Sequence, residues 1–192
     1  MFTQYKNVCV FCGSATGYNS VYSEKAVSLA DNLAKRGCNL VYGAGAQGLM
    51  GIFARRMKSD GTYVIGITPK RFERINAENP IDIDEYHVVE DMHQRKSMMY
   101  SLSDAFIIFP GGIGTLDEMA EIMTWRQLGL HGKPVVIYNV NGYFNDFISF
   151  IKDMEDEGFY KFKDYYFVAE AEEQIFCYLD VFVRHRAKYE IA

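Results

Sequence analysis

A strand, a glycine-rich turn and a helix follow one another between residues 105 and 128, and this succession constrains the fold more than any other feature. The apolar run from Ala105 to Phe109 predicts a buried parallel strand. The turn from Pro110 to Glu118 reads PGGIGTLDE and leads into helical periodicity over 116–128. Such a turn exposes backbone N–H groups at the positive end of a helix, and it therefore suits a bound phosphate.

The same alternation of strand and helix runs through almost the whole chain. It predicts an α/β fold, a Rossmann-like doubly wound parallel sheet with helices on both faces, formed by a single domain over residues 1–192. The polar segment from Lys70 to Glu85 is expected to be irregular and to act as a lid or rim over the site. Strands are predicted over 7–11, 39–42, 63–67, 86–89, 105–109, 134–138 and 167–169. Helices are predicted over 20–36, 49–59, 92–103, 116–128, 143–157 and 170–186.

Composition and charge limit the class of protein. Of the 192 residues, 49% are hydrophobic and 23% are charged, which is ordinary for a soluble globular protein. The net charge of −5 argues against nonspecific binding to nucleic acid, which needs a basic surface. The first residues lack the pattern of a signal peptide, and no apolar run reaches the roughly 20 residues that cross a bilayer. We therefore expect a cytoplasmic protein with neither nucleic-acid nor membrane partners.

The four cysteines do not form a recognisable redox or metal site. Cys9 and Cys12 have the C-x-x-C spacing, but in a strand an offset of three sends the two thiols to opposite faces. No second cysteine pair or histidine cluster supplies further zinc ligands. We expect no bound metal, and we expect Cys9, Cys12, Cys38 and Cys177 to be buried or half-buried in a reducing compartment.

Two carboxylates, Asp117 and Glu118, follow the glycines of the turn, where a site that only binds phosphate gains nothing from negative charge. Their presence favours chemistry on the group attached to the phosphate. The alternative is a structural capping box formed by Thr115 and Glu118, but a cap needs none of the three glycines. Arg95 and Lys96 begin the preceding helix at the same edge of the sheet, where they can neutralise a phosphate and orient Glu118.

A second glycine-rich turn, from Gly43 to Gly48, matches the G-x-G-x-x-G pattern after a strand and before a helix. A dinucleotide site of that kind needs an acidic residue at the end of the next strand, and the strand here ends in Ile67-Thr68. An NAD site is therefore not expected. The chain also lacks the G-x-x-x-x-G-K-[ST] pattern of P-loop proteins and the G-x-S-x-G pattern of esterases.

Together these segments resemble the LONELY GUY family, nucleoside 5′-monophosphate phosphoribohydrolases that activate cytokinins and are often mislabelled lysine decarboxylases. The family pattern P-G-G-x-G-T-x-x-E corresponds to Pro110 to Glu118, and M-H-x-R-K corresponds to Met92 to Lys96. A third pattern, G-x-x-G-L-M-G, corresponds to Gly45 to Gly51. Residues 10–14 and 124–129 match as well, so the resemblance covers roughly residues 7–170.

The resemblance implies hydrolysis of the N-glycosidic bond of AMP, or of an N6-modified adenosine 5′-monophosphate, to the free base and ribose 5-phosphate. It implies that Arg95 and Glu118 are catalytic and that no cofactor takes part. Family members are commonly homodimers in which a second subunit helps to close the site, so a homodimer is expected. The expected substrate-binding residues are Gly13, Ser14, Gly45, Met92, Lys96, Gly111, Gly112, Ile113, Gly114, Thr115, Asp117 and Thr124.

The implied reaction makes chemical sense of these residues. The 5′-phosphate is expected on the N–H groups of residues 111–115, with the Thr115 hydroxyl as a further donor. As the base leaves, positive charge grows on the ribose ring, and Glu118 can stabilise that charge and polarise a water. Arg95 is expected to keep Glu118 ionised and oriented, and Asp117 to bind the ribose hydroxyls.

Two departures from the family pattern leave the preferred base open. Ala44 stands where the family has a glycine, so the backbone is expected to approach the ligand less closely there. Glu73 and Glu78 are both candidates for the acidic loop residue that contacts substrate.

The alternative function is a non-catalytic carrier of a nucleotide or phosphate-bearing cofactor on the same fold, which needs no catalytic glutamate. The presence of both Arg95 and Glu118 favours the enzyme.

Overall fold

Seven parallel strands form the central sheet of the computed structural model, which describes residues 5–77, 80–160 and 165–189. The strands are β1 (Asn7–Phe11), β2 (Asn39–Tyr42), β3 (Val64–Pro69), β4 (Glu85–Val89), β5 (Ala105–Ile108), β6 (Val135–Tyr138) and β7 (Phe167–Ala169). Their order across the sheet is β4-β3-β2-β1-β5-β6-β7, and every pair is parallel. The parallel sheet follows from the short apolar runs, which are buried on both sides.

Helices connect the successive strands. They are α1 (Ser20–Lys35), α2 (Gly48–Ser59), α3 (Lys70–Ala77), α4 (Met92–Leu102), α5 (Ile113–Gln127), α6 (Asn145–Asp156) and α7 (Glu172–Tyr189), with a short 3₁₀ turn at Val140–Gly142. Along the part of the chain that the structure describes, each helix is too short or too polar to cross a lipid bilayer.

The winding of the sheet reverses between β1 and β5. From β1 the chain proceeds outwards through β2, β3 and β4, and it then returns to place β5 on the other side of β1. The two strands are in register, with Val8 beside Ala105 and Phe11 beside Ile108, so their carboxyl ends meet at one edge. In open α/β sheets, ligands bind in the crevice that such a reversal leaves at this edge.

Two hydrophobic cores lie on opposite faces of the sheet, because successive strand side chains alternate between the faces. Val8 and Val10 of β1 join the core formed with α1, α2 and α7. Cys9 and Phe11 join the core formed with α4, α5 and α6. Helices therefore cover both faces, and the predicted Rossmann-like doubly wound fold is confirmed.

The cysteine predictions are confirmed in part. Cys9 and Cys12 lie in the two different cores, as the strand offset predicts, and no disulfide joins any of the four cysteines within the described residues. Cys38 is also buried. The prediction for Cys177 is wrong: the side chain lies on the exposed side of α7, because its neighbours Ile175 and Phe176 take the positions that face the core.

The segment from Lys70 to Glu85 is not irregular throughout, because α3 forms its first half. Phe72 and Ile75 are three residues apart and so share one face of this short helix. The residues around them are mostly charged, which hides the apolar face in the sequence. The expected rim is nevertheless present, since Phe72 and Ile75 both line the cavity described below.

Helix α5 begins earlier than its sequence pattern indicates. Its N-cap residue is Gly112, and the N–H group of Thr115 donates to the Gly112 carbonyl at 3.0 Å. Thr115 therefore lies inside the first turn, and the capping box of Thr115 and Glu118 is wrong. The glycines of the turn have low helix propensity, which predicts a later start, but tertiary contacts around the turn outweigh that preference.

Candidate active site

A cavity of about 720 Å³ opens at the carboxyl edge of the sheet, where β1 and β5 lie side by side. Its volume is in the range of small-molecule binding sites. Its walls are formed by the loops after β1, β2 and β5, by the end of β3 and helix α3, and by the starts of α2, α4 and α5. The lining residues are Val10, Cys12, Gly13, Ser14, Gly43, Gly45, Ala46, Gln47, Met50, Thr68, Pro69, Phe72, Ile75, Met92, Arg95, Met99, Gly112, Ile113, Gly114, Thr115 and Glu118.

Two glycines are required by the contact between the loops after β1 and β5. The Gly13 N–H group donates to the Pro110 carbonyl at 3.0 Å, and a Cβ on Gly13 would lie 3.3 Å from the Gly111 Cα. A Cβ on Gly111 would lie 2.1 Å from the Thr115 Oγ1 and 2.7 Å from the Gly13 nitrogen. No larger residue fits at Gly111 while the two loops remain in contact.

The other two glycines of the turn are not required by the protein itself. A Cβ built on Gly112 or Gly114 meets no atom within 4 Å, and neither residue has a positive φ. Both glycines line the cavity together with Ile113, and helix geometry provides no carbonyl for the N–H groups at the start of α5. Glycine at both positions leaves the backbone open to close approach from the cavity, and these N–H groups favour an anion.

Arg95 of α4 lies between the loop after β2 and helix α5. A Cβ on Gly43 would lie 1.6 Å from its Nη2, so glycine at that position makes room for the guanidinium group. Nη2 lies 3.4 Å from the Gly43 carbonyl oxygen and 3.6 Å from the Glu118 Oε1. The Nε atom is buried without a hydrogen-bond partner among the described residues. The guanidinium group therefore has donor capacity left for a ligand.

Glu118 lies in the second turn of α5 with only 7% of its surface exposed. Burial raises the pKa of its carboxyl group from 4.5 to about 7, against the opposing effect of the Arg95 charge. The carboxyl group can therefore gain or lose a proton near neutral pH, as a general acid or base requires. It lies beside the N–H groups that favour an anion, so a phosphate and a reacting carbon atom can be held together.

Lys96 and Asp117 are also brought together, but they form a pair outside the cavity lining. The Lys96 Nζ lies 3.0 and 3.1 Å from the two oxygens of Asp117 and 3.3 Å from the Glu121 Oε1. Although burial lowers the pKa of Lys96, the hydrogen bonds to these carboxylates raise it above 10.5 overall. Neighbouring helix positions point about 100° apart. Arg95 faces the cavity, whereas the next residue, Lys96, faces Asp117 and Glu121.

Two other expected substrate-binding residues do not line the cavity. Gly111 lies behind the turn, and Thr124 is exposed further along α5. The remaining expected residues all line it: Gly13, Ser14, Gly45, Met92, Gly112, Ile113, Gly114 and Thr115, together with Arg95 and Glu118.

The loop after β2 divides the main cavity from a neighbouring cavity of about 540 Å³. Gly43 and Gly45 face the main cavity, whereas Ala44, with a φ of 55°, places its side chain in the neighbouring one. The Ala44 side chain therefore does not narrow the main cavity. Glu73 lines the neighbouring cavity, and Glu78 lies outside the described residues.

Sequence reasoning missed the apolar part of the cavity wall, which includes Met50 of α2 and the α3 residues Phe72 and Ile75. Met50 lies two residues after the second glycine turn, so its position at the start of α2 was the available signal. The signal for Phe72 and Ile75 was their three-residue spacing within a charged segment. These side chains add apolar surface to a cavity that also contains the glycine turn and the charged pair.

Cys12 also lines the cavity, but its environment does not suit a nucleophile. Burial raises the pKa of the Cys12 thiol well above 9.0, and the charge of Glu118 raises it further. A nucleophilic cysteine needs the opposite, a lowered pKa that provides thiolate. Thiol chemistry is therefore disfavoured at this site.

Comparisons with known proteins agree with this geometry. A sequence model of the family described as "possible lysine decarboxylase" matches residues 50–178. Cytokinin riboside 5′-monophosphate phosphoribohydrolase LOG3 of Arabidopsis thaliana is 46% identical over 159 residues, covering 82% of this chain and 73% of that protein. Probable cytokinin riboside 5′-monophosphate phosphoribohydrolase LOGL3 of Oryza sativa subsp. japonica is 46% identical over 82% of this chain and 74% of that protein. This chain is a member of the LONELY GUY family.

The fold is shared more widely than the LONELY GUY sequence. The solved Moco carrier protein from Chlamydomonas reinhardtii superposes with a TM-score of 0.71 at 18% identity, covering 95% of this chain and 99% of that chain. At this identity the likeness shows the fold alone. The three LONELY GUY motifs, in contrast, converge on one cavity through Gly45, Arg95 and Glu118.

The alternative family label, lysine decarboxylase, has no support in the site. Pyridoxal-phosphate enzymes hold their cofactor through a lysine Schiff base. No lysine is among the residues that line the cavity in the described part of the chain, and Lys96 is engaged by Asp117 and Glu121.

Proposed function

We propose that this protein hydrolyses the N-glycosidic bond of adenosine 5′-monophosphates, including N6-substituted ones, to the free base and ribose 5-phosphate. The observation that carries the proposal is the pair of Arg95 and Glu118 beside a glycine turn whose residues line the same cavity. The names of the relatives, cytokinin riboside 5′-monophosphate phosphoribohydrolases, describe this reaction.

The first step is binding of the 5′-phosphate at the start of α5. Its oxygens accept hydrogen bonds from the N–H groups of Gly112, Ile113 and Gly114 and from the Thr115 hydroxyl. Glycine at 112 and 114 lets the phosphate approach the backbone closely. Binding there fixes the ribose next to Glu118, one helical turn further along.

The second step is departure of the base. As the bond between C1′ of the ribose and the base nitrogen breaks, positive charge develops on the ribose ring, and the Glu118 carboxylate stabilises it. The carboxylate also takes a proton from the attacking water, whose oxygen bonds to C1′. The base leaves with its electron pair and takes up the proton that Glu118 received from the water, so that free base and ribose 5-phosphate are formed and Glu118 is ionised again.

Arg95 keeps Glu118 in place and favours its ionised form, and its unused Nε is available to an oxygen of the substrate. The apolar side chains of Phe72, Ile75 and Met92 form the wall for the base. The predicted contact of Asp117 with the ribose hydroxyls stays part of this proposal.

We also propose a homodimer in the cytoplasm that does not bind nucleic acid. Exposed Leu128 and Leu130, with 67% and 62% of their surfaces accessible, support an apolar contact surface at the end of α5. The absence of disulfides among the four cysteines fits a reducing compartment, and the net charge of −5 disfavours nucleic acid. Light scattering at several protein concentrations tests the dimer.

The proposed reaction is tested by incubating the protein with AMP and with N6-isopentenyl-AMP and resolving free base by chromatography. Glu118→Gln should lower the rate by about 10² to 10⁴-fold, because it removes the acid–base group and keeps the side-chain shape. Glu121→Gln is the matched control: it changes a carboxylate three residues along α5, outside the cavity, and should retain activity.

The carrier alternative predicts a different result. Tight binding of a nucleotide without release of base, equal in the wild type and Glu118→Gln, would overturn the hydrolase and favour a carrier. Release of base in both Glu118→Gln and the wild type at the same rate would overturn the role of Glu118.

A further inference from the structure

The carbonyl group of Gly111 is held by a tyrosine from a distant part of the chain. The phenolic O–H of Tyr143 donates to the Gly111 carbonyl oxygen at 2.5 Å, although the two residues are 32 positions apart. Tyr143 lies in the connection between β6 and α6, and β6 neighbours β5 in the sheet. The proposed reaction and the family comparison give this side chain no role.

The connection that carries Tyr143 is fixed by its own hydrogen bonds. The Asn139 Oδ1 accepts from the Phe144 N–H group at 2.7 Å, and its Nδ2 donates to Asn145 and Glu170. The Tyr143 ring also packs edge-on against Phe144, with ring centres 5.0 Å apart. A side chain held in this way can impose a position on the flexible glycine turn.

A residue of helix α1 packs against the same ring. The rings of Tyr22 and Tyr143 are 5.6 Å apart at an angle of 79°. The hydrogen bond of Tyr143 therefore belongs to a packed aromatic cluster and not to a lone surface side chain, even though 44% of the Tyr143 surface is exposed.

The direction of one carbonyl group fixes the direction of the next N–H group. A peptide unit is planar and trans, so its C=O and N–H bonds point in opposite directions. By holding the Gly111 carbonyl, Tyr143 fixes the N–H group of Gly112, which lines the cavity. The preceding carbonyl, that of Pro110, is held by the Gly13 N–H group. A turn rich in glycine would otherwise let this peptide unit rotate.

The hydrogen bond also changes the donor strength of the turn. Donation to a carbonyl oxygen draws electron density through the peptide unit and makes its N–H group a better donor, because hydrogen bonds in a chain polarise one another. Both effects act at the Gly112 N–H group.

We propose that Tyr143 is a positioning residue for the anion-binding turn, and that it acts through the Gly111–Gly112 peptide unit on the phosphate of the substrate. This inference rests on the proposed function in one respect, namely that the turn binds the substrate phosphate. It does not depend on whether the bound nucleotide is hydrolysed.

The test compares a ligand that has a phosphate with one that lacks it. In a Glu118→Gln background, which preserves the nucleotide, calorimetry measures binding of AMP and of adenosine with and without Tyr143→Phe. The affinity for AMP should fall by about fivefold to tenfold, the effect of one lost hydrogen bond, while the affinity for adenosine stays the same. A merely structural role would lower both affinities together.

Tyr22→Phe is the matched control, because it removes a hydroxyl from the same aromatic cluster while keeping the ring contact with Tyr143. It should leave both affinities unchanged. The melting temperature of Tyr143→Phe should stay within a few degrees of its parent, since the ring contacts remain. In the otherwise wild-type protein, KM for AMP should rise more than kcat falls.

Three results would overturn the proposal: equal affinities for AMP with and without the Tyr143 hydroxyl, an equal loss for AMP and adenosine, or no binding of AMP or ribose 5-phosphate to the parent. A wild type that binds AMP but releases no base would overturn the proposed hydrolysis alone. The effect of Tyr143→Phe on AMP binding would still decide the role of Tyr143.

Discussion

Replacement of Glu118 by glutamine should stabilise the protein, and the gain should grow with pH. Burial raises the pKa of Glu118 from 4.5 to about 7 in the folded protein. The unfolded chain ionises this group with the ordinary value of 4.5, so folding above that pH must either bind a proton or bury a charge. The stabilising effect of the protonated form is fully present below 4.5 and is lost as the pH rises through about 7.

The size of the effect follows from the two pKa values. At about 1.4 kcal/mol for each tenfold change in proton affinity, the difference between 4.5 and about 7 corresponds to about 3 kcal/mol above pH 7. Part of this stability has already been lost in mildly acidic solution, between pH 4.5 and about 7. Between about pH 5.5 and about pH 8.5 the free energy of unfolding of the wild type should therefore fall by about 2 kcal/mol relative to Glu118→Gln.

Urea unfolding of both proteins over this range of pH measures the difference directly. The pH dependence of all other groups cancels in the comparison, because both chains carry them. Glutamine has nearly the same volume, so no cavity is created. A difference in unfolding free energy that stays constant with pH, or a wild type that gains stability relative to Glu118→Gln as the pH rises, would refute the buried, proton-binding state of Glu118.

Three further outcomes are expected. The kcat/KM for release of base from AMP should rise with pH through about 7 and then level, because the mechanism needs the ionised form of Glu118; a flat pH profile would contradict this. Gly114→Ala should raise the free energy of unfolding in urea by about 0.5 to 1 kcal/mol, because alanine favours helix and its Cβ meets no clash. The same substitution should lower kcat/KM by about tenfold or more, because the added methyl group blocks the phosphate. Ala44→Gly should raise the free energy of unfolding by about 1 kcal/mol, since it relieves the positive φ of 55°, and should leave KM for AMP unchanged, because the side chain faces the neighbouring cavity.

Much of the fold could be predicted because the signals are local. Apolar runs such as residues 105–108 specify buried strands, and the intervening periodicity specifies helices, so the parallel sheet follows from the alternation. The order of strands is not a local property. That β5 lies beside β1, which puts Gly13 against Gly111, depends on contacts about a hundred residues apart.

The charged residues of the site show where sequence reasoning stops. Position in the sequence placed Arg95 and Lys96 together, and Asp117 and Glu118 together, at one edge of the sheet. Their pairing depends on helix rotation: Arg95 and Glu118 face the cavity, while Lys96 turns to Asp117 and Glu121. The angle of about 100° between neighbours was available from the sequence, but which member faces inwards depends on how α4 and α5 pack.

The same rotation gives the site its chemical character. Had Lys96 paired with Glu118, a close ammonium group would hold the carboxylate ionised and limit its use as an acid or base. The Arg95 Nη2 lies instead 3.6 Å from the Glu118 Oε1, too far for a hydrogen bond. The effect of burial is therefore larger than the opposing effect of the Arg95 charge, and the pKa of Glu118 rises to about 7. A carboxylate whose charge is made unfavourable by burial gains most when positive charge develops on the ribose beside it. Stabilisation that is greater in the transition state than in the ground state is what accelerates a reaction, so the burial that costs this protein stability also supports the proposed catalysis.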